Sequence, residues 1–190
     1  MRNKSQDVLE TALRLFEQEG FQAVGIDRII AESGVAKMTM YKYFESKDEL
    51  IAEALREHDR RVMRSLVAFV ERRRTFRSRI KAVFQWHDDW FRSQDFSGSL
   101  FLNAASEFHN RDTQVRRIVR DHLRATESYV QSLFADPDLG REMAPQLMLL
   151  LLGATSSAYA GDRKDASNAA WKIADAMLAS QAAQAEQEDA

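Results

Sequence analysis

From Val8 to Leu178 the apolar residues of this chain recur three and four positions apart, and no stretch alternates apolar with polar at the two-residue period of a strand. A chain patterned this way folds as packed amphipathic helices. Residues that stop a helix are scarce, with two prolines and seven glycines in 190 residues. Apolar faces predict helices over 8–19, 26–33, about 36–44, 46 to about 70, 76–91, 99–108, 113–134, 141–160 and 165–180. Gly20 ends the first and Gly34-Val35 makes the sharp turn after the second. Ser46 and Glu49 have the spacing of a Ser-x-x-Glu capping box. Arg72-Arg73-Arg74 reads as a connection and Asp136-Pro137-Asp138 as a turn. The tail from Gln181, all Ala, Gln, Glu and Asp, reads as a frayed helix extension or as disorder. The fold class is all-α, with about nine helices.

Composition removes several kinds of chemistry. The absence of cysteine excludes disulfides, thiol nucleophiles and thiolate metal sites, and is compatible with a reducing cytoplasm. The most apolar run, Leu147 to Leu152, is far short of the roughly 20 residues that span a bilayer. Residues 1–7 lack the apolar centre of a signal peptide. The expectation is a soluble, cytoplasmic protein with no membrane partner. His87-Asp88-Asp89 and Glu107-x-His109 suggest metal half-sites, but adjacent helical residues diverge and no His-x-x-x-His pair occurs. They read as solvated charges, so no metal and no cofactor is expected. Neither a Gly-x-Ser-x-Gly elbow nor a phosphate-cradling glycine loop is present, and nothing supports a catalytic reading.

Residues 25–44 have the order of a helix-turn-helix: a short helix with Ile26, Ile29 and Ile30 inward, a glycine turn, and a second short helix. In that second helix Met40 and Phe44 face the core with Val35. Lys37, Thr39, Tyr41, Lys42 and Tyr43 are left outside, carrying the hydroxyl and ammonium donors that phosphates and base edges accept. Lys47 begins the next helix, where free N–H groups also favour a phosphate. Global charge does not argue for DNA: the net charge is −2, and residues 1–50 hold seven Lys or Arg against nine Asp or Glu. Residues 56–81 hold ten basic and three acidic residues. That run reads as a solvated helix face and connection; the alternative places Arg56, Arg60 or Arg61 near DNA, and an Arg2–Lys4 arm could also reach phosphates.

The segment Gly34-Val35-Ala36-Lys37-Met38-Thr39-Met40-Tyr41-Lys42-Tyr43-Phe44-Glu45-Ser46-Lys47-Asp48-Glu49-Leu50 resembles the N-terminal domain of the tetracycline-repressor (TetR) family. Leu13-x-x-Phe16 and Gly20-Phe21 extend the likeness, which covers about a quarter of the chain. It implies Lys37, Met38, Thr39, Tyr41 and Tyr43 at the DNA and Lys47 on a phosphate. Two positions depart from the family pattern. Ala36 stands where many relatives have a capping Ser or Thr, and Met38 where the residue is often small, which suits contact with a thymine methyl. The implied organisation is a three-helix head at 1–50 and a helical effector-binding and dimerising body at 51–190.

In the body, nine of the eighteen aromatic residues fall between Phe84 and Phe134. They either pack a core or line a cavity for an apolar or aromatic effector. The stretch from Gly98 to Ala105 resembles a recurring segment in a subset of the family, and by that likeness the pocket candidates are Trp86, Trp90, Phe101, Asn103, Glu107, Phe108, His122 and Tyr129. Small and apolar residues on the last two helices, Leu150, Ala154, Ala158, Ala170, Trp171, Ala174 and Met177, form the candidate dimer face; the alternative is that they cover their own body. The reading is a homodimeric, ligand-responsive repressor of a palindromic operator. An effector-independent DNA-binding or protein-interaction module with the same head is the alternative.

Overall fold

The computed structural model describes residues 3–109 and 113–188, with side chains described to residue 184. Among these residues it contains nine α-helices and no strand: α1 (Lys4–Glu19), α2 (Ile26–Ser33), α3 (Lys37–Tyr43), α4 (Lys47–Val70), α5 (Phe76–Phe91), α6 (Leu100–Glu107), α7 (Gln114–Ser132), α8 (Pro137–Ala160) and α9 (Ala166–Glu188). Arg2 of the suggested N-terminal arm lies outside the described residues.

Helix ends follow local chemistry. Asn3 caps α1 by accepting from the Ser5 N–H at 3.2 Å. Gly34 leaves α2 in the left-handed region, at φ 64°, which allows the abrupt turn into α3. At the start of α4 the Ser46 hydroxyl accepts from the Glu49 N–H at 3.1 Å. The Glu49 carboxylate bonds the N–H of Glu45, at 2.6 Å, one residue before the position the capping box anticipates. Thr75 and Ser78 form a reciprocal box before α5 that the apolar pattern does not show. Among the helix ends that differ from the apolar pattern, two have a clear local cause. Helix α8 starts at Pro137 rather than 141, because Asp136 caps it through the Asp138 N–H at 2.9 Å and a proline at the first position needs no donor. Helix α9 runs on to Glu188, since Ala, Gln and Glu are good helix formers after the apolar face ends.

The chain divides into two compact units. The first takes in the described residues of Met1–Arg64 and Ser99–Arg124, and the second those of Ser65–Gly98 and Ala125–Ala190. Compactness thus groups the chain differently from a cut after residue 50: α6 and the first part of α7 share a unit with the helix-turn-helix. The first core is built on Phe16, Phe21, Ile29, Met40, Leu50 and Phe101. The second is built on Leu66, Ile80, Phe84, Phe91, Leu147 and Ala174. Two of its buried hydroxyls are satisfied, Ser167 donating to the Phe84 carbonyl at 2.6 Å and Thr155 to the Leu151 carbonyl at 2.8 Å.

Candidate nucleic-acid interface

Helix α3 is held by one face and open on the other. Met40 is 0% exposed, and Phe44 and Val35 are buried beside it, as the spacing predicts. Met38 is 82% exposed, and Tyr41, Tyr43, Lys37 and Lys42 are exposed too, with Thr39 half-buried. Ala36 supplies no side-chain cap; its carbonyl accepts from Thr39 and Met40 N–H at 2.8 and 3.0 Å. The Lys37 ammonium lies 3.1 Å from Asp27 Oδ1 in α2, and that hydrogen bond raises its pKa above the usual lysine value. Lys47 is half-buried in the first turn of α4.

The three α4 arginines that the sequence offers as possible neighbours of DNA are partnered. Arg60 meets Glu57 at 2.7 Å, Arg61 meets both Glu57 and Glu10, and Arg56 meets Glu53. The hydrogen bond from Arg60 is the largest cause holding the Glu57 carboxyl below its usual pKa. These pairs make Arg56, Arg60 and Arg61 a solvated, internally compensated helix face. Lys42 and Lys47 enter no ion pair among the described residues.

The eight residues named as pocket candidates are divided between the two units. Phe101, Asn103, Glu107, Phe108 and His122 lie in the first unit. There the His122 ring stacks on Phe101 with centroids 3.6 Å apart, and its Nδ1 is 2.6 Å from Asp59 Oδ1. Burial holds the His122 pKa below the usual histidine value, against the opposing pull of Asp59. The Glu107 carboxylate bonds backbone N–H groups of Phe21 and Gln22. Trp86, Trp90 and Tyr129 lie in the second unit. Trp86 and Trp90 stand 5.9 Å apart, Trp90 meets Phe96 edge-on at 5.1 Å, and the Trp86 indole donates to Ser65 at 3.0 Å. The Tyr129 hydroxyl is buried with no hydrogen-bond partner among the described residues, and burial raises its pKa.

The family model described as bacterial regulatory proteins, tetR family, matches residues 8–54. The crystal structure of a TetR-family transcriptional regulator from Streptomyces coelicolor is 30% identical, with a TM-score of 0.86 over 93% of this chain and 95% of that one. The chain belongs to the TetR family. Two HTH-type transcriptional regulators of Bacillus subtilis (strain 168) are similar over a short segment: YerO at 37% identity over 54 residues and YxaF at 41% over 51. Those matches cover 28% and 26% of this chain and span 19% and 27% of the two relatives.

As a TetR-family chain it carries that family's helix-turn-helix in α2 and α3. Ala154, Ala158, Ala170 and Ala174 are buried inside the chain's own core, with Leu150, Trp171 and Met177 half-buried against it. The close approach that alanine permits is used where α9 packs on α8 and α5. The apolar side chains left outside are Leu149 (71% exposed) and Ile173 (53%). Periodicity alone missed them, because Leu149 lies within the continuous apolar run 147–152 and Ile173 among the alanines of α9, where spacing does not separate the two sides. Tyr159 is exposed as well, its ring set against Gly98, where a Cβ would come within 2.9 Å of Tyr159 Cγ. Among the described residues no three metal-ligating side chains stand together, and no helix is long and apolar enough to cross a membrane.

Proposed function

We propose that this TetR-family chain binds a palindromic operator as a homodimer, represses transcription there, and lets go when an apolar or aromatic small molecule binds its body. The outward face of α3 carries the reading: Met38, Tyr41, Lys42 and Tyr43 are exposed on a helix pinned from behind by Met40 and Phe44. Lys37, Met38 and Thr39 enter the major groove first and meet base edges, while Tyr41, Lys42, Tyr43 and Lys47 hold phosphates. Seven helical residues span about 10 Å. That is three base pairs, too few to specify a site, so two copies act together.

The partner copy docks on the outer face of α8 and α9. Leu149, Gly153 and Ser156 line that side of α8, and Ile173 and Ala176 that side of α9. Each large apolar residue is flanked by small ones, which suits a helix–helix contact. For the effector, the second unit offers the Trp86, Trp90 and Phe96 rings and the buried Tyr129 hydroxyl. Glu107 and His122, already engaged in the first unit, are left out of that site.

Selection of duplexes from a random DNA pool tests the reading. The expected product is an inverted repeat whose half-sites are centred about one helical turn, roughly 34 Å, apart. Recovery of unrelated sequences, or of single half-sites bound by a monomer, would sink it.

A further inference from the structure

Glu107 is the last residue of α6, and its carboxylate sits on the turn between α1 and α2. Oε1 accepts from the Phe21 N–H at 3.1 Å and Oε2 from the Gln22 N–H at 2.8 Å. The next residue, Phe108, puts its ring against that of Phe21 at 5.7 Å, edge-on, and Phe21 lies in turn 5.0 Å from Phe16. The approach is tight. Gly20 has φ +83°, and a Cβ on it would come 2.8 Å from Glu107 Oε1. Two successive N–H groups that have left α1 and not yet entered α2 need an acceptor, and a carboxylate with two oxygens supplies both bonds with charge assistance. Four residues later the chain enters α2, the first helix of the helix-turn-helix.

We infer that Glu107 is a positioning residue for operator binding: it touches no DNA, but holds the turn that sets the stance of α2 and α3. A head free to tilt at this turn presents Tyr41, Lys42 and Tyr43 over a range of angles, and only part of that range fits the groove. The inference rests on the reading of α3 as the DNA-facing helix.

The test compares Glu107→Gln, Glu107→Ala and wild type on a duplex that the wild-type chain selects from a random pool. Glutamine keeps the volume but sets an amide NH2 against one of the two N–H donors. Affinity is measured well below the midpoint of thermal unfolding, where an effect on stability alone leaves it untouched. Both variants should bind about five- to thirty-fold more weakly, as for loss of a charge-assisted hydrogen bond. The Phe21 and Gln22 amides should exchange faster, while the slope of log affinity against log salt stays that of wild type, because no phosphate contact is removed. Affinity within about twofold of wild type despite faster exchange at Phe21 and Gln22 overturns the inference and leaves the DNA reading intact. Loss of the fold in both variants also overturns it, since the bond would then be structural. Failure of the wild-type chain to select any duplex removes the DNA reading and this inference together.

Discussion

Met38 and Met40, two positions apart on one short helix, are 82% and 0% exposed. Truncating the buried one leaves a cavity and should cost about 2–5 kcal/mol of stability in denaturant unfolding. Met38→Ala should change stability by less than about 0.5 kcal/mol and show its effect in sequence preference, through loss of apolar contact with a thymine methyl. Equal destabilisation by the two substitutions would contradict the orientation of α3. Lys47→Ala should weaken binding to all sequences alike and lower the salt slope by about 1; a slope equal to wild type would remove Lys47 from the phosphates. His122 gives the pH prediction. Its folded pKa lies below the unfolded value, so the folded state binds fewer protons, and stability rises with pH through the histidine range. Above the unfolded pKa, about 6.5, the penalty is absent, and it grows as pH falls towards the folded pKa. Melting temperature should therefore drop more between pH 7.5 and 5.5 (roughly one unit either side of that pKa) in wild type than in His122→Gln. Parallel curves would assign the pH dependence to other groups.

At the scale of elements, α8 and α9 each have an inward face and a large apolar side chain turned away from it. The inward stripe of α8, from Met143 through Leu147, Leu151 and Ala154 to Ala158, packs the second core, and Leu149 stands opposite. Arginine at a buried alanine has neither room nor counter-charge, so Ala158→Arg or Ala174→Arg should unfold the second unit rather than divide a dimer. Leu149→Arg and Ile173→Arg should keep native helicity and sediment as monomers. Circular dichroism with sedimentation velocity separates these outcomes, and dimeric, folded Leu149→Arg and Ile173→Arg chains would refute the outer-face placement.

For the molecule as a whole, the two cores differ in content. The first encloses the helix-turn-helix, and the second holds all three tryptophans, Trp86, Trp90 and Trp171. An effector in the second unit should therefore change tryptophan emission and weaken operator binding over one concentration range. Reversing occupancy from 1:99 to 99:1 needs about 5.5 kcal/mol of preference for the DNA-free form, by linkage. The double change Trp86→Phe with Trp90→Phe should abolish most of the emission response while leaving DNA binding by the free protein unchanged. A ligand that releases DNA without altering the emission of wild type would move the site away from those rings.

What could be read from the sequence is what neighbours along the chain decide. The inward set Val35, Met40 and Phe44, the left-handed Gly34 and the Ser46 cap each depend on residues within one or two turns, so spacing alone reveals them. The outward set of α3 follows as the remainder, and with it the candidate DNA face. Tertiary structure alone decided where separate helices meet. Glu107 bonds to groups 85 and 86 positions away, and His122 to Asp59 across 63. The inward turn of Ala154 and Ala174 beside the outward Leu149 and Ile173 has the same origin. Helices apolar on both sides carry two candidate faces, and nothing in their periodicity states which one the chain covers itself. That choice is made by the free energy of packing the whole core, in which α9 seats its alanines against α8 and α5 and leaves Ile173 outside.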